Sequence, residues 1–315
     1  MKEIKITDIK GIQIGSYEDS QAATGCTVII AKEGATTGVD VRGGAPATRE
    51  TDLLDPKNLV SKIQAVMLSG GSAFGLDACS GAMQYLEEKG YGFDMQVAKV
   101  PIVCGASLFD LSVENPNVRP DKQMGYQACI NSEKNSIQEG NYGAGCGASV
   151  GKILGPQYAM KGGLGTYALD LEGIQVGAIV AVNACGNVLD YQSKKMLAGT
   201  YDRKNHQFID LETAMNHIRQ APGSNTTIGC IVTNVKLNKA QCTKTASITH
   251  NGYALAISPV HTMSDGDTIF VMSTNEIEAE VDIVGVLATK VMAQAINNAI
   301  KKAKSAYGLL AYKDV

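Results

Sequence analysis

"GSNTTIGCIVTN", residues 223–234, begins as a turn and ends as a strand. Gly223, Ser224 and Asn225 favour turns, because glycine reaches left-handed backbone and short polar side chains bond their own main chain. From Thr226 onward the residues alternate. Ile228, Cys230 and Val232 share one face, and Thr227, Gly229 and Ile231 share the other. With apolar residues on both faces, the pattern predicts a largely buried strand. Two adjacent threonines therefore stand where a loop enters the core.

On the C-terminal side, residues 238–257 read as a helix with Asn238 as its N-cap. A turn at Pro259 leads to a strand over 267–273 and a long helix over about 276–304. In that helix Val284, Leu287, Val291, Ala295 and Ala299 line one face. Glu276, Glu278 and Glu280 come early and Lys301, Lys302 and Lys304 late, which suits the helix dipole. On the N-terminal side a helix over 209–220 precedes the opening stretch, and "GLGTYALDLEGIQVGAIVAVNACGNVLD" (163–190) reads as strands. Residues 121–132 suggest a helix. "KIQAVMLSGGSAFGLDACSGAMQYLEEKG" (62–90) reads as strand, glycine turn and helix, with Leu76, Cys79, Met83 and Leu86 at helical spacing. In the first fifty residues "KITDIKGIQIG", "TGCTVIIAKEG" and "ATTGVDVRGG" read as strands, with glycines between them that suit hairpins. Strands in mixed order with long helices, and no repeat or low-complexity linker, point to one layered domain over 1–315.

Composition narrows the function. The 315 residues are 44 % hydrophobic, with 34 glycines and no Trp, a globular composition with many tight backbone sites. A net charge of −3 makes neither nucleic acid nor an anionic membrane an obvious partner. "MKEIKITDIKG" lacks an apolar signal core, and no apolar run reaches the length of a membrane span. Eight cysteines without a CxxC pair read as reduced core residues of a cytoplasmic protein.

The glycine-rich motifs are incomplete. "GGSAFG" (70–75) has Phe74 where a nucleophile elbow needs glycine, and it lacks the rest of a phosphate loop, so it reads as a tight turn. "GAGCGASVG" (143–151) reads as a pocket wall or a turn. His206 and His217 read as surface residues, His250 lies in a helix and His261 in a turn, with no metal-ligand spacing among them. "SDGD" (264–267) could be a simple turn. Thr226, however, sits at a loop-to-strand junction, and 39 residues later Asp265 and Asp267 enter the next strand. On adjacent strands these would be neighbours, and a hydroxyl beside two carboxylates is a plausible catalytic group.

The chain resembles the self-cleaving family of L-aminopeptidase/D-esterases and β-peptidyl aminopeptidases, which includes the nylon-oligomer endohydrolases. The resemblance runs nearly end to end. It is carried by "GVDVRGGAPATRETDLLDP", "VMLSGGSAFGLD", "EGNYGAGCGASVGK", "AVNACGNV", "NTTIGCIVTN" and "SPVHTMSDGDTIF". It implies an α+β fold, a four-layer αββα sandwich resembling N-terminal nucleophile hydrolases. It also implies self-cleavage between Asn225 and Thr226 into fragments 1–225 and 226–315, with Thr226 as the nucleophile.

Asp265 and Asp267 match the family's paired site positions, and Lys152 and Asn183 match a lysine and an asparagine that line the site. Phe109 stands where the nylon-oligomer hydrolases carry a tyrosine. On this reading the two aspartates orient the hydroxyl and the new ammonium, which keeps both carboxylates ionised. Asn183 donates to the oxyanion, and Lys152 neutralises a carboxylate or aids the oxyanion. Thr227 points away. The new α-amino group is the general base, so no cofactor or metal is expected. The expected substrate is a small peptide or amide, and the expected assembly is a homotetramer. The rival readings are an acyltransferase of the ornithine acetyltransferase type and a non-catalytic small-molecule-binding protein.

Overall fold

The computed structural model describes residues 1–210 and 225–315, so most of the helix expected over 209–220 lies outside the described residues. Among the described residues ten strands join in one mixed sheet. They are β1 (Lys2–Ile4), β2 (Gln13–Asp19), β3 (Thr24–Val41), β4 (Thr48–Arg49), β5 (Lys62–Ser69), β6 (Val103–Ser107), β7 (Gly163–Leu171), β8 (Ile174–Asn183), β9 (Thr226–Val235) and β10 (Thr268–Ile277). The order is β1-β7-β8-β9-β10-β3-β5-β6-β4, with β2 also on β3. β9 and β10 run parallel, as do β5 and β6, and the other neighbours run antiparallel. Among the described residues four helices cover the sheet: α1 (Ala78–Glu88), α2 (Lys122–Ser132), α3 (Lys239–Ala256) and α4 (Val281–Lys302).

The side chains sort this sheet into two layers. Val180, Val182, Ile231, Ile269 and Val271 form a core with α3 and α4. The alternate residues Ile179, Ala181, Ile228, Cys230, Phe270 and Met272 meet Ile29, Val66 and Leu68 of β3 and β5. The reverse face of those strands, with Val28, Ile30, Ala65 and Met67, is covered by Cys79 and Leu86 of α1 and Ala128 of α2. Three cores separate four layers, α/β/β/α. The period of two in each strand, which puts neighbours on opposite faces, produces this division. By the same period Thr226 shares the inter-sheet face with Ile228 and Cys230.

The two strands expected over 24–34 and 35–44 are a single strand of 18 residues. Gly34, at φ +76°, makes a bulge where a hairpin was expected, and the register with β5 shifts between Ile30 and Ala35. A bulge adds twist. The first half of β3 therefore lies in one layer beside β2 and β5, while the second half pairs with β10 in the other.

The last helix also begins later than its charge pattern suggested. β10 runs on to Ile277, held by its pairing with Val235, and the helix starts at Val281. Glu276 thus lies in a strand and Glu280 at the N-cap, while Lys301 and Lys302 do close the helix. By length and composition α4 could cross a membrane, unlike the sequence reading, but 67 % of its apolar window is buried in the fold. Asn238 caps α3 as expected, in a reciprocal capping box with Gln241. All eight cysteines are buried and unpaired.

Candidate active site

Three strand ends converge on Thr226, the first residue of β9. Antiparallel pairing sets Asn183, the last residue of β8, directly across from it. On the other side the segment entering β10 runs alongside, with Asn225 bridged to Asp265. Thr226, Asn183, Asp265 and Asp267 are each at most 4 % exposed, and Lys152 is 8 % exposed. The spacing argument that put Thr226 near the acidic pair is thus realised through the parallel β9–β10 pair.

The Thr226 hydroxyl donates to the carbonyl oxygen of Asn225, the residue just before it. The Gly266 N–H donates to the same oxygen at 3.0 Å. The carbonyl of the 225–226 peptide therefore carries a hydroxyl and a backbone donor together. Gly266 suits this place because it has no side chain: a β-carbon there would lie 2.7 Å from Thr226 Oγ1.

The turn that carries Gly266 is clamped from outside by the "RGGAP" loop. The Ala45 N–H donates to the Asp265 carbonyl at 2.8 Å, Gly44 to Thr262 at 3.1 Å, and Arg42 to Asp267 at 2.9 Å. From inside, Asp265 Oδ2 accepts the Thr262 N–H (2.8 Å) and hydroxyl (2.6 Å). Burial, and then the charge of Asp267, push the Asp265 carboxyl above its usual range.

Asp267 Oδ1 accepts the Thr227 N–H at 2.8 Å. Its Oδ2 accepts both the backbone N–H (3.0 Å) and Nδ1 (2.9 Å) of His261. Among the described residues neither carboxylate bonds the Thr226 hydroxyl. They grip the backbone beside it. The two ionised carboxylates expected from sequence presuppose a free ammonium at Thr226, whereas in this structure Thr226 is joined to Asn225 by a peptide bond.

Lys152 Nζ donates to Asn183 Oδ1 (2.9 Å) and to the Asn183 carbonyl (3.1 Å). Burial pushes the ammonium down to about 7, opposed by Cys185, Asp265 and Asp110. Its direct partner is therefore Asn183, and the carboxylates act on it at a distance. Asn183 Oδ1 also accepts the Ser149 N–H (3.0 Å), while Nδ2 donates to the Phe109 carbonyl (2.9 Å). One of its two amide hydrogens is thus already used. Phe109 contributes a main-chain acceptor, and the residue is half-buried. Thr227 turns its buried hydroxyl away, with no hydrogen-bond partner among the described residues. Beside Lys152 and Ser149 lies a cavity of about 200 Å³ that Arg203 and Tyr307 also line. A larger cleft of about 540 Å³, around Lys5, Glu139 and Tyr167, shares no residue with this site.

Motifs do not mark two further polar groups, the half-buried His261 and the buried Lys161. His261 was assigned to a turn, and its contact with Asp267 depends on how that turn folds back. Lys161, 0 % exposed, donates to the carbonyls of Gly145, Ala148 and Gly162, so its ammonium organises the glycine-rich "GAGCGASVG" segment. "GGSAFG" is a tight turn, with Gly71 N–H bonded to Asp110 and Ser72 opening a short 3₁₀ helix. Among the described residues no group of three or more His, Cys, Asp or Glu side chains could hold a metal ion.

A family model for peptidase family S58 matches residues 5–311. An uncharacterized aminopeptidase of Mycobacterium leprae is 36 % identical, over 98 % of this chain and 92 % of the relative. A 6-aminohexanoate-oligomer endohydrolase of Kocuria sp. is 30 % identical, over 93 % of this chain and 85 % of the relative. Among solved structures, the L-aminopeptidase D-Ala-esterase/amidase of Ochrobactrum anthropi superposes with a TM-score of 0.73 at 17 % identity, covering 98 % of this chain and 92 % of that one. That protein is described as a prototype for the serine aminopeptidases and a new variant of the Ntn hydrolase fold. The likeness extends to a β-aminopeptidase of Burkholderia sp., with a TM-score of 0.68 at 18 % identity, covering 95 % of this chain and 86 % of that one. The mixed sheet between helix layers is thus the fold expected from sequence.

Proposed function

The chain belongs to peptidase family S58, and from that premise we propose a self-activating amidohydrolase whose nucleophile is Thr226, released by cleavage of its own Asn225–Thr226 bond. The observation that carries the reading is the Thr226 hydroxyl held at the Asn225 carbonyl while Gly266 N–H donates to the same oxygen.

In self-cleavage Thr226 Oγ1 adds to the Asn225 carbonyl carbon, and negative charge grows on the oxygen that Gly266 already contacts. One such donor contributes roughly 3–4 kcal/mol. The C–N bond then breaks and the nitrogen takes up a proton, which leaves an ester between Asn225 and Thr226. Water hydrolyses the ester, which frees the Asn225 carboxylate and restores the Thr226 hydroxyl beside the amine already released. That amine titrates near ~8. It sits on the same residue as the hydroxyl and serves as general base in later turnovers. There Oγ1 attacks the substrate amide, the amine product leaves with the proton, and water releases the acyl group. Hydroxyl, amine and main-chain donor supply nucleophile, base and oxyanion contact, so the cycle asks for no metal. The names of the relatives point to small peptides and to amide oligomers as substrates.

Mass spectrometry of the purified protein tests this directly. Two fragments are expected, 1–225 and 226–315, the second beginning Thr-Thr-Ile-Gly, and activity on amino-acid anilides or an amide oligomer should accompany them. Thr226→Ala should stay uncut and inactive. Processing of that variant at the same bond would remove Thr226 from the mechanism.

A further inference from the structure

We propose that His261 is a positioning residue, whose Nδ1–H anchors the Asp267 carboxylate so that its other oxygen is presented to the backbone at the Thr226 terminus. This rests on the self-cleaving reading above.

The carboxylate has two unlike ends. Oδ2 receives two bonds from one residue, the His261 N–H at 3.0 Å and Nδ1 at 2.9 Å. Oδ1 receives one, from the Thr227 N–H at 2.8 Å, one residue from the nitrogen that cleavage would free. Oδ2 is the anchored end and Oδ1 the working end. The double contact depends on local backbone: His261 has φ +59°, a left-handed conformation uncommon outside glycine. It lets the backbone and ring donors of one residue reach the same oxygen.

The ring is set for this task. An ionised carboxylate only accepts, so Nδ1 must carry the hydrogen. Nε2 is buried and has no hydrogen-bond partner among the described residues. The ring is therefore tied to its surroundings by a hydrogen bond through Nδ1, on the side that faces Asp267. Aromatic packing holds the ring plane. The His250 ring meets it edge-on at 4.7 Å between centroids, and Tyr253 stacks at 6.0 Å. His250 is itself fully buried on α3, with Nε2 3.0 Å from the Asp40 carbonyl. The anchor matters most after cleavage. A new ammonium at Thr226 would pull on the carboxylate, and a carboxylate held only at Oδ1 could turn toward it and lose its alignment.

Three variants separate the donor from the packing. His261→Gly keeps the left-handed backbone and the N–H but deletes the ring. His261→Asn places an amide donor where Nδ1 stood, and His261→Gln places it near Nε2 instead. All three lose the ring packing, so a merely structural role would depress them alike. The Gly and Gln variants should lose about 10–100-fold in kcat with KM within about twofold, the scale of losing a second partner behind a catalytic group. Their self-cleavage should slow in parallel. The Asn variant should return to within about threefold of wild type. Equal rates for Asn, Gln and Gly, whether slow or wild-type, would overturn the assignment. The Asn–Gln comparison stands even if the Gly variant does not fold. A wild type that never cuts itself would refute the self-cleaving reading instead, so the two failures are distinguishable.

Discussion

Adding one methyl group at Gly266 should slow self-cleavage without unfolding the chain. A β-carbon at that position would lie 2.7 Å from Thr226 Oγ1, 2.9 Å from the Ala45 carbonyl oxygen and 3.3 Å from Pro46 Cα. Ordinary contact begins near 3.4 Å, so the hydroxyl has to retreat by about 0.7 Å or the 45–46 loop has to give way. The loop is pinned by the 2.8 Å bond from Ala45 N–H to the Asp265 carbonyl. The Thr226 backbone is pinned by its pairing with Asn183. The softest coordinate is the Thr226 side-chain rotation, which carries the hydroxyl away from the Asn225 carbonyl. Reacting atoms need to approach within ~3–3.5 Å, and a misplacement of ~1 Å costs on the order of 100-fold. A retreat of this size therefore predicts about 10–100-fold slower cleavage, or about 1–3 kcal/mol in the barrier. Gly266 is not among the residues with positive φ, and alanine keeps the N–H, so backbone and oxyanion contact both survive. Intact mass measured over time after synthesis gives the rate, and a melting curve shows whether the variant is folded. Gly266→Ala combined with Thr226→Ser should recover part of the rate, because serine lacks the γ-methyl and its hydroxyl is freer to turn. A folded Gly266→Ala protein that cuts itself at the wild-type rate would refute the placement of the attacking oxygen.

The two aspartates should respond differently. Asp265→Asn and Asp267→Asn should each lower kcat by roughly two orders of magnitude, measured on fully cleaved protein with an amino-acid anilide. Asp267→Asn should also melt at lower temperature, because its amide NH₂ would face donors on Thr227 or His261. Asp265→Asn should cost less in melting temperature, since burial and the Asp267 charge push that carboxyl above its usual range and so discount the loss of its charge. Near-wild-type turnover from both variants would reduce "SDGD" to an ordinary turn. Lys152→Met should alter the pH dependence of stability. Folded Lys152 sheds its proton near 7 against 10.5 when free, so between these values the unfolded chain binds more protons and stability rises with pH. Wild type should therefore gain in melting temperature relative to Lys152→Met from about pH 7 toward pH 10. Lys161 is present in both proteins and cancels in that difference. Parallel melting profiles would show that Lys152 keeps its ordinary proton affinity in the fold.

Local chemistry was legible in the sequence. The alternation after Thr226 describes the buried strand β9. Asn238 does cap α3, and the distance from Thr226 to the acidic pair does correspond to two neighbouring strands. These features follow from side-chain period and short-range hydrogen bonding, which a few consecutive residues settle among themselves. The family motifs likewise marked the residues that meet at the strand ends.

Other features were decided only where distant segments meet. "TGCTVIIAKEG" and "ATTGVDVRGG" each look complete, yet they are one strand, because β5 and β10 pair with successive halves of it across the Gly34 bulge. Glu276 looks like the start of a helix, yet the β10 ladder keeps it extended. Asn183 looks free to donate to an oxyanion, yet Phe109, 74 residues earlier, takes one of its hydrogens. His261 lies six residues from Asp267, a spacing that fits no helix or strand rule. The two meet because a left-handed residue turns the loop back on itself while the loop at Arg42–Ala45 clamps it from outside. Period and propensity are properties of neighbours along the chain, whereas a buried polar group takes the partner that folding brings within about 3 Å.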